Sequence, residues 1–269
     1  MNKLCYPMMI WKNYRGLVLF SMIVIAALQF LINWLFTTMD FASVIVSMRQ
    51  QLPAPLRLFF EEEFFSRFSI KGSAAFGFNH PVVLALLALN AIIIPARHIA
   101  GEIESGTLEL LLAYPLKRTR LLLTLWASAI IQLLLIVGAA GTGSMTSVAI
   151  YHELTLDLWA PMVKIAFNLW LFFILIMSYT LLLATFGKES AKIGIYSAAL
   201  TLTLYFLNFL STIWEAISFI KPYNIFSYYQ PQKLMFQERS FTFHFAVLST
   251  LIALCLIISI KQFNRRDIP

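Results

Sequence analysis

The sequence predicts an all-α integral membrane protein with six transmembrane helices and both termini on the cytoplasmic side. Three observations predict it. Of 269 residues, 60% are hydrophobic and only 12% are charged, where a soluble domain carries about 25% charged residues. Six apolar segments reach the roughly 17–25 residues a helix needs to cross a bilayer. All thirteen Asp and Glu residues fall outside those six segments. Without an internal repeat or a low-complexity linker, residues 1–269 read as a single membrane domain.

Before the first span, residues 4–15 mix Met8, Met9, Ile10 and Trp11 with Lys12, Asn13 and Arg15. That mixture suits an amphipathic helix lying in the cytoplasmic interface, or else a simple basic flank. The first span, 17–36, is longer than a signal-peptide apolar region and has no small-residue cleavage site after it, so it reads as a retained helix. A long first outer loop follows, whose 56–68 portion, LRLFFEEEFFSRF, suggests amphipathic helices on the outer leaflet. The second span, 73–95, is interrupted by Asn79, His80 and Pro81. The third, 121–145, carries Gly138, Gly141 and Gly143, small residues that let helix backbones approach closely within one subunit or between two. The fourth and fifth, 161–186 and 193–213, are joined by the short polar turn GKESAK. The last outer loop, 214–240, is rich in Trp and Tyr and suits interfacial packing. The sixth span covers 241–260.

Orientation follows from the basic residues, which favour cytoplasmic loops. With the N-terminus inside, segments 1–16, 97–120, 187–192 and 261–269 hold twelve of the twenty Lys and Arg. The excess positive charge therefore belongs to membrane flanks, and no alternation of basic and aromatic residues suggests nucleic acid. Cys5 and Cys255 lie in no metal-ligand spacing. The four histidines are scattered, no nucleophile elbow appears, and Gly187-Lys188 lacks the rest of a phosphate loop. The chain reads as no enzyme, without a catalytic, metal or cofactor site of its own.

Inside the spans the polar residues are neutral. A proton- or sodium-driven transporter usually keeps a carboxylate at membrane depth, and the spans contain none. An ion-coupled secondary transporter therefore ranks behind other readings. Gln29, Asn33, Gln132, Asn168 and Asn208 either hydrogen-bond between helices or line a translocation path.

Between the second and third spans lies a charged island, RHIAGEIESGTLELLLAYPLKRTR, over residues 97–120. Ser105, Gly106 and Thr107 form a break with helix-capping character. Residues 107–114 then allow about two turns of helix, with Leu108, Leu111 and Leu112 on one side, and Pro115 stops it. Exposed leucines at this place need a cover. The inner leaflet is one choice, but it repels Glu102, Glu104 and Glu109. A protein partner satisfies both features, by receiving leucines in a cleft and pairing the glutamates.

The run GEIESGTLELLLAYPLKR resembles the signature of ABC-2 type permeases, with Gly101, Glu102, Glu104, Gly106, Thr107, Leu108, Glu109, Leu110, Leu111, Leu112, Pro115 and Arg118 at the matching positions. The plan of spans and loops is similar too, and resembles that of the small permeases of nitrous-oxide-reductase copper maturation, gliding motility and sodium or antibiotic efflux. The resemblance implies a permease subunit of an ATP-binding cassette exporter in the inner membrane of a prokaryote. It implies a cytoplasmic ATPase dimer that binds ATP and Mg, and a second permease copy as partner. Residues 101–115 would be the coupling segment, with Lys188 and Glu189 in a smaller second contact. The same ATPase contact could instead serve a non-transporting membrane anchor with a signalling or mechanical role.

Overall fold

The computed structural model describes residues 5–38, 47, 69–112, 117–151, 155–237 and 241–266. The expected outer-leaflet helices at 56–68, and Pro115, lie outside these residues. Apolar runs with few helix breakers, in a solvent that cannot satisfy free backbone groups, leave helix as the local solution. The helices are α1 (Cys5–Thr38), α2 (Ile70–Phe78), α3 (Pro81–Pro95), α4 (Thr107–Leu112), α5 (Arg118–Tyr151), α6 (Leu156–Phe186), α7 (Ser190–Ile213), α8 (Pro231–Met235) and α9 (Phe241–Arg265). A π-helical segment, Ala96–Gly101, continues α3, and 3-10 turns at Glu215–Tyr223 and Ile225–Tyr228 follow α7. Six helices are long and apolar enough to cross a membrane, and the described residues contain no strand.

The expected interfacial helix at 4–15 is not a separate element. From Cys5 it continues without a break into the first span. Ile10, Tyr14, Val18, Ser21, Ile25, Gln29 and Asn33 are all buried along it. That is a three- and four-residue spacing that keeps one stripe of α1 against the protein, chiefly against α5.

The second span is split as Asn79, His80 and Pro81 suggested. Ser69 caps α2, its hydroxyl accepting from the Gly72 amide at 3.3 Å. Proline at the first position of α3 lacks the amide that would otherwise be orphaned, and His80 Nδ1 accepts from the Val82 amide at 3.3 Å.

Helix α6 is the centre of the bundle. Eighteen of its residues are buried, and it packs on α3, α5, α7 and α9. Helix α7 is its opposite, with only Ile193, Ser197, Thr201 and Ser211 buried. Its inward face is mostly hydroxyl, and Thr201 hydrogen-bonds the Tyr179 phenol and the Ser197 carbonyl.

The three glycines of the third span separate by role. A Cβ on Gly143 would stand 2.3 Å from the Ala26 backbone oxygen, so α1 and α5 touch backbone to backbone there. Around Gly138 and Gly141 nothing lies within 4 Å of an added Cβ. Gly143→Leu is expected to destabilise the fold by at least the roughly 1–3 kcal/mol of overpacking. Gly141→Leu should leave thermal stability in detergent nearly unchanged. Equal melting curves for the two variants would refute this packing.

Candidate functional site

The two ends of the bundle differ. At one end, named here for Tyr229, the loop after α7 folds inward. Tyr229 is buried, stacks on Phe172 with ring centroids 5.3 Å apart, and donates its hydroxyl to the Phe78 carbonyl at 2.9 Å. Gln232 donates to the Gly72 carbonyl at 3.3 Å, and Asn224 to the Leu204 carbonyl at 2.7 Å. The aromatic loop thus does more than rest at an interface, since it braces the break between α2 and α3. Burial pushes the Tyr229 phenol well above its ordinary pKa, which keeps it a hydrogen-bond donor.

The opposite end carries the charged island and the turn before α7, and it brings the two together. After the π-helical segment, a single turn (Glu102–Glu104) ends at Gly106, whose φ of 71° is left-handed and suits glycine. The Ser105 hydroxyl donates to the Gly101 carbonyl at 2.9 Å, and Thr107 donates to a Glu102 carboxylate oxygen. The expected break at 105–107 is therefore a hydrogen-bonded turn that points α4 in a new direction.

Glu104 is the link. Its Oε2 accepts from the Ser190 amide and from the Ser190 hydroxyl, both at 2.9 Å. Ser190 is the first residue of α7, and Glu189, at the cap position, offers that helix end no side-chain hydrogen bond. A carboxylate from another segment takes the capping position and meets the positive end of the helix dipole. Glu189 turns instead to Lys192, 2.7 Å away.

Other helix ends at this face are also capped across elements. Arg118, at the start of α5, donates to the Phe263 carbonyl at 3.5 Å and to the Arg266 carbonyl, just past the end of α9. Arg266 donates to the Thr185 and Ala184 carbonyls at 2.7 and 3.4 Å, at the end of α6. Cations at helix C-termini satisfy orphan carbonyls and oppose the dipole. The island, α5, α6, α7 and α9 are thereby tied into one platform.

Of the sequence-predicted docking residues, Glu104, Ser105, Gly106, Glu109, Lys188 and Glu189 are exposed, and Gly101, Glu102 and Thr107 are half-buried. Leu108 is different. It is 1% exposed and belongs to the chain's own core, so it anchors α4 to the bundle and is covered without a partner.

Of the five candidate pathway residues, Gln29, Asn33, Gln132 and Asn168 are buried inside the single subunit and Asn208 is half-buried. Asn33 donates to Ser144 Oγ at 2.8 Å and accepts from Ser73 Oγ at 3.1 Å, tying α1 to α5 and α2. Asn208 accepts from Ser227 at 3.1 Å. Gln29 is buried against Gly77, where a Cβ would stand 2.2 Å from its Oε1. Gln132 and Asn168 are buried as well. Sequence reasoning missed Asn90, which donates to Ser21 Oγ at 2.9 Å; an asparagine amid an apolar span was the signal.

Compared with known proteins, the chain matches the family model described as ABC-2 family transporter protein over residues 18–268. No curated protein matches it.

Proposed function

Because the chain belongs to the ABC-2 transporter family, we propose that it is the membrane-spanning permease subunit of an ATP-driven exporter. As a multi-pass membrane component of an ABC transporter it works with an ATPase partner. In this reading a cytoplasmic ATPase dimer docks on the Glu104 end of the bundle, and a second permease copy completes the pathway. The Glu104 end is then cytoplasmic, which the basic-residue bias favours, and the membrane is the inner membrane of a prokaryote.

The observation that carries the reading is the Glu104–Ser190 joint. It unites the island and the second loop, the two segments that the family resemblance implies for the ATPase contact. ATP-driven closure of the partner subunits would push exposed Glu109 and Lys188, and the platform would move as one body. The spans attached to it would then shift between access states.

The test is purification of the chain with an ATPase encoded beside it, followed by reconstitution. The ATPase is expected to co-purify, and Glu102→Arg combined with Glu104→Arg to abolish both co-purification and permease-dependent ATP turnover. Unchanged association and turnover in that double variant would refute docking at this face.

A further inference from the structure

Two spans meet side by side at the Glu104 end, where the start of α5 is joined to the end of α9. Arg118 donates to the Phe263 and Arg266 carbonyls. An exposed reciprocal pair completes the joint. Thr119 donates to Asn264 Oδ1 at 3.2 Å, and the Asn264 amide donates to Thr119 Oγ1 at 3.0 Å.

Each of the two helices turns one exposed stripe outward. On α5 it runs through Arg120, Leu123, Ala127, Ile131 and Leu134, and on α9 through Leu254, Ile258, Lys261 and Arg265. Steps of three and four residues keep each set on one face of its helix. The apolar part on α5, from Leu123 to Leu134, is about 16 Å long at ~1.5 Å per residue. That is close to one leaflet of a hydrocarbon core ~30 Å thick. Both stripes turn cationic where the apolar run stops, which is the level of the lipid head groups.

The charge at this joint is unbalanced. Residues 117–120 and 261–267 hold six Lys and Arg against one carboxylate, Asp267, which lies outside the described residues. None of the six makes an ion pair among the described residues. The carboxylates described at this end, Glu102, Glu104, Glu109 and Glu189, all belong to the island or the second loop. Like charges gathered at one place repel one another, and a single carboxylate does not offset six cations. On the outward side of the two stripes the neighbour is the membrane. A zwitterionic head group brings its own cation, whereas each Lys or Arg beside an anionic surface is worth about fivefold in affinity.

We propose that the α5–α9 joint binds an anionic phospholipid, its head group at the Arg120, Lys261 and Arg265 end and its acyl chains along the two exposed stripes. The site needs α5 and α9 to cross the membrane and needs no ATPase.

The experiment uses the full chain alone in phosphatidylcholine nanodiscs, doped with phosphatidylglycerol or phosphatidylcholine that carries a diazirine in one acyl chain. Adducts are mapped by peptide. The phosphatidylglycerol probe is expected to label residues 123–134 and 254–258 at least fivefold more than the phosphatidylcholine probe. Arg120→Gln combined with Arg265→Gln should cut phosphatidylglycerol labelling there about twentyfold and leave phosphatidylcholine labelling unchanged, and lysine at both positions should restore it. Lys261→Gln alone, with a loss of about fivefold, serves if the double variant does not fold. The control is Lys12→Gln combined with Arg15→Gln, two exposed cations at the same end on α1, which should change nothing. Equal labelling by the two lipids would overturn the site. So would an equal loss in the α1 control, since the charge would then act as a general surface potential. Competition by inorganic phosphate as strong as by unlabelled phosphatidylglycerol would overturn the lipid as occupant, and loss of the adducts on adding the ATPase would make the joint a protein contact instead. Failure of ATPase docking leaves the lipid site standing, and equal labelling by the two lipids leaves docking standing.

Discussion

Tyr229→Ala is expected to prevent stable folding of the bundle, with a loss of about 3–5 kcal/mol for a fully buried aromatic ring. The substitution removes the stack on Phe172 and the donor to Phe78, and so unseats the outer loop from the α2–α3 break. Tyr229→Phe keeps the ring and removes only the hydroxyl, leaving a buried carbonyl without its donor. That should cost about 1–3 kcal/mol, visible as a lower melting temperature with the elution profile in detergent unchanged. The same residue sets a pH dependence. Its folded pKa is raised above the ordinary 10.0 by burial, so the folded state holds the proton more tightly than the unfolded one. Its contribution is complete below about pH 10 and falls as pH rises through that value. A Tyr229→Phe chain should lack this alkaline loss. If wild type and variant melt identically at every pH, the Tyr229 lock is not formed.

Glu104→Gln is expected to separate docking from coupling. The amide remains polar and exposed, so the surface offered to a partner changes little. It no longer brings a negative charge to the N-terminus of α7, and its paired acceptance from the Ser190 amide and hydroxyl weakens. Permease-dependent ATP turnover should fall about tenfold, within the 5–150-fold range of coupling between sites, while the ATPase still co-purifies. Glu104→Asp, shorter by one methylene but charged, should recover part of the loss. Full activity in Glu104→Gln would show that force reaches α7 by another route.

Much of the architecture is legible in the sequence because membrane spans announce themselves by apolar length alone. All six appear where the apolar runs predict, and the Asn79-His80-Pro81 interruption marks the split of the second. Ser105-Gly106-Thr107 is likewise readable, since only a residue tolerant of positive φ can turn the chain so sharply. What the sequence conceals is which ends meet. Glu104 caps a helix 86 positions away, and Arg118 one that ends 147 positions away; no local periodicity encodes such a pairing. Leu108 shows the same limit from the other side. Its spacing fits an exposed docking face, yet the turn at Gly106 directs it into the core. The N-terminal stretch joins the first span without a break for a related reason, because Ile10 and Tyr14 extend the buried stripe of that helix.

The proposed docking of an ATPase on the island and the turn before α7 makes both segments part of one contact surface. Photocrosslinking from benzoylphenylalanine at Glu109 and at Lys188, in membranes containing the assembled complex, tests it most directly. Both positions are expected to form adducts with the same ATPase subunit, with a yield that changes with bound ATP. An intact complex in which neither position forms an adduct would contradict it.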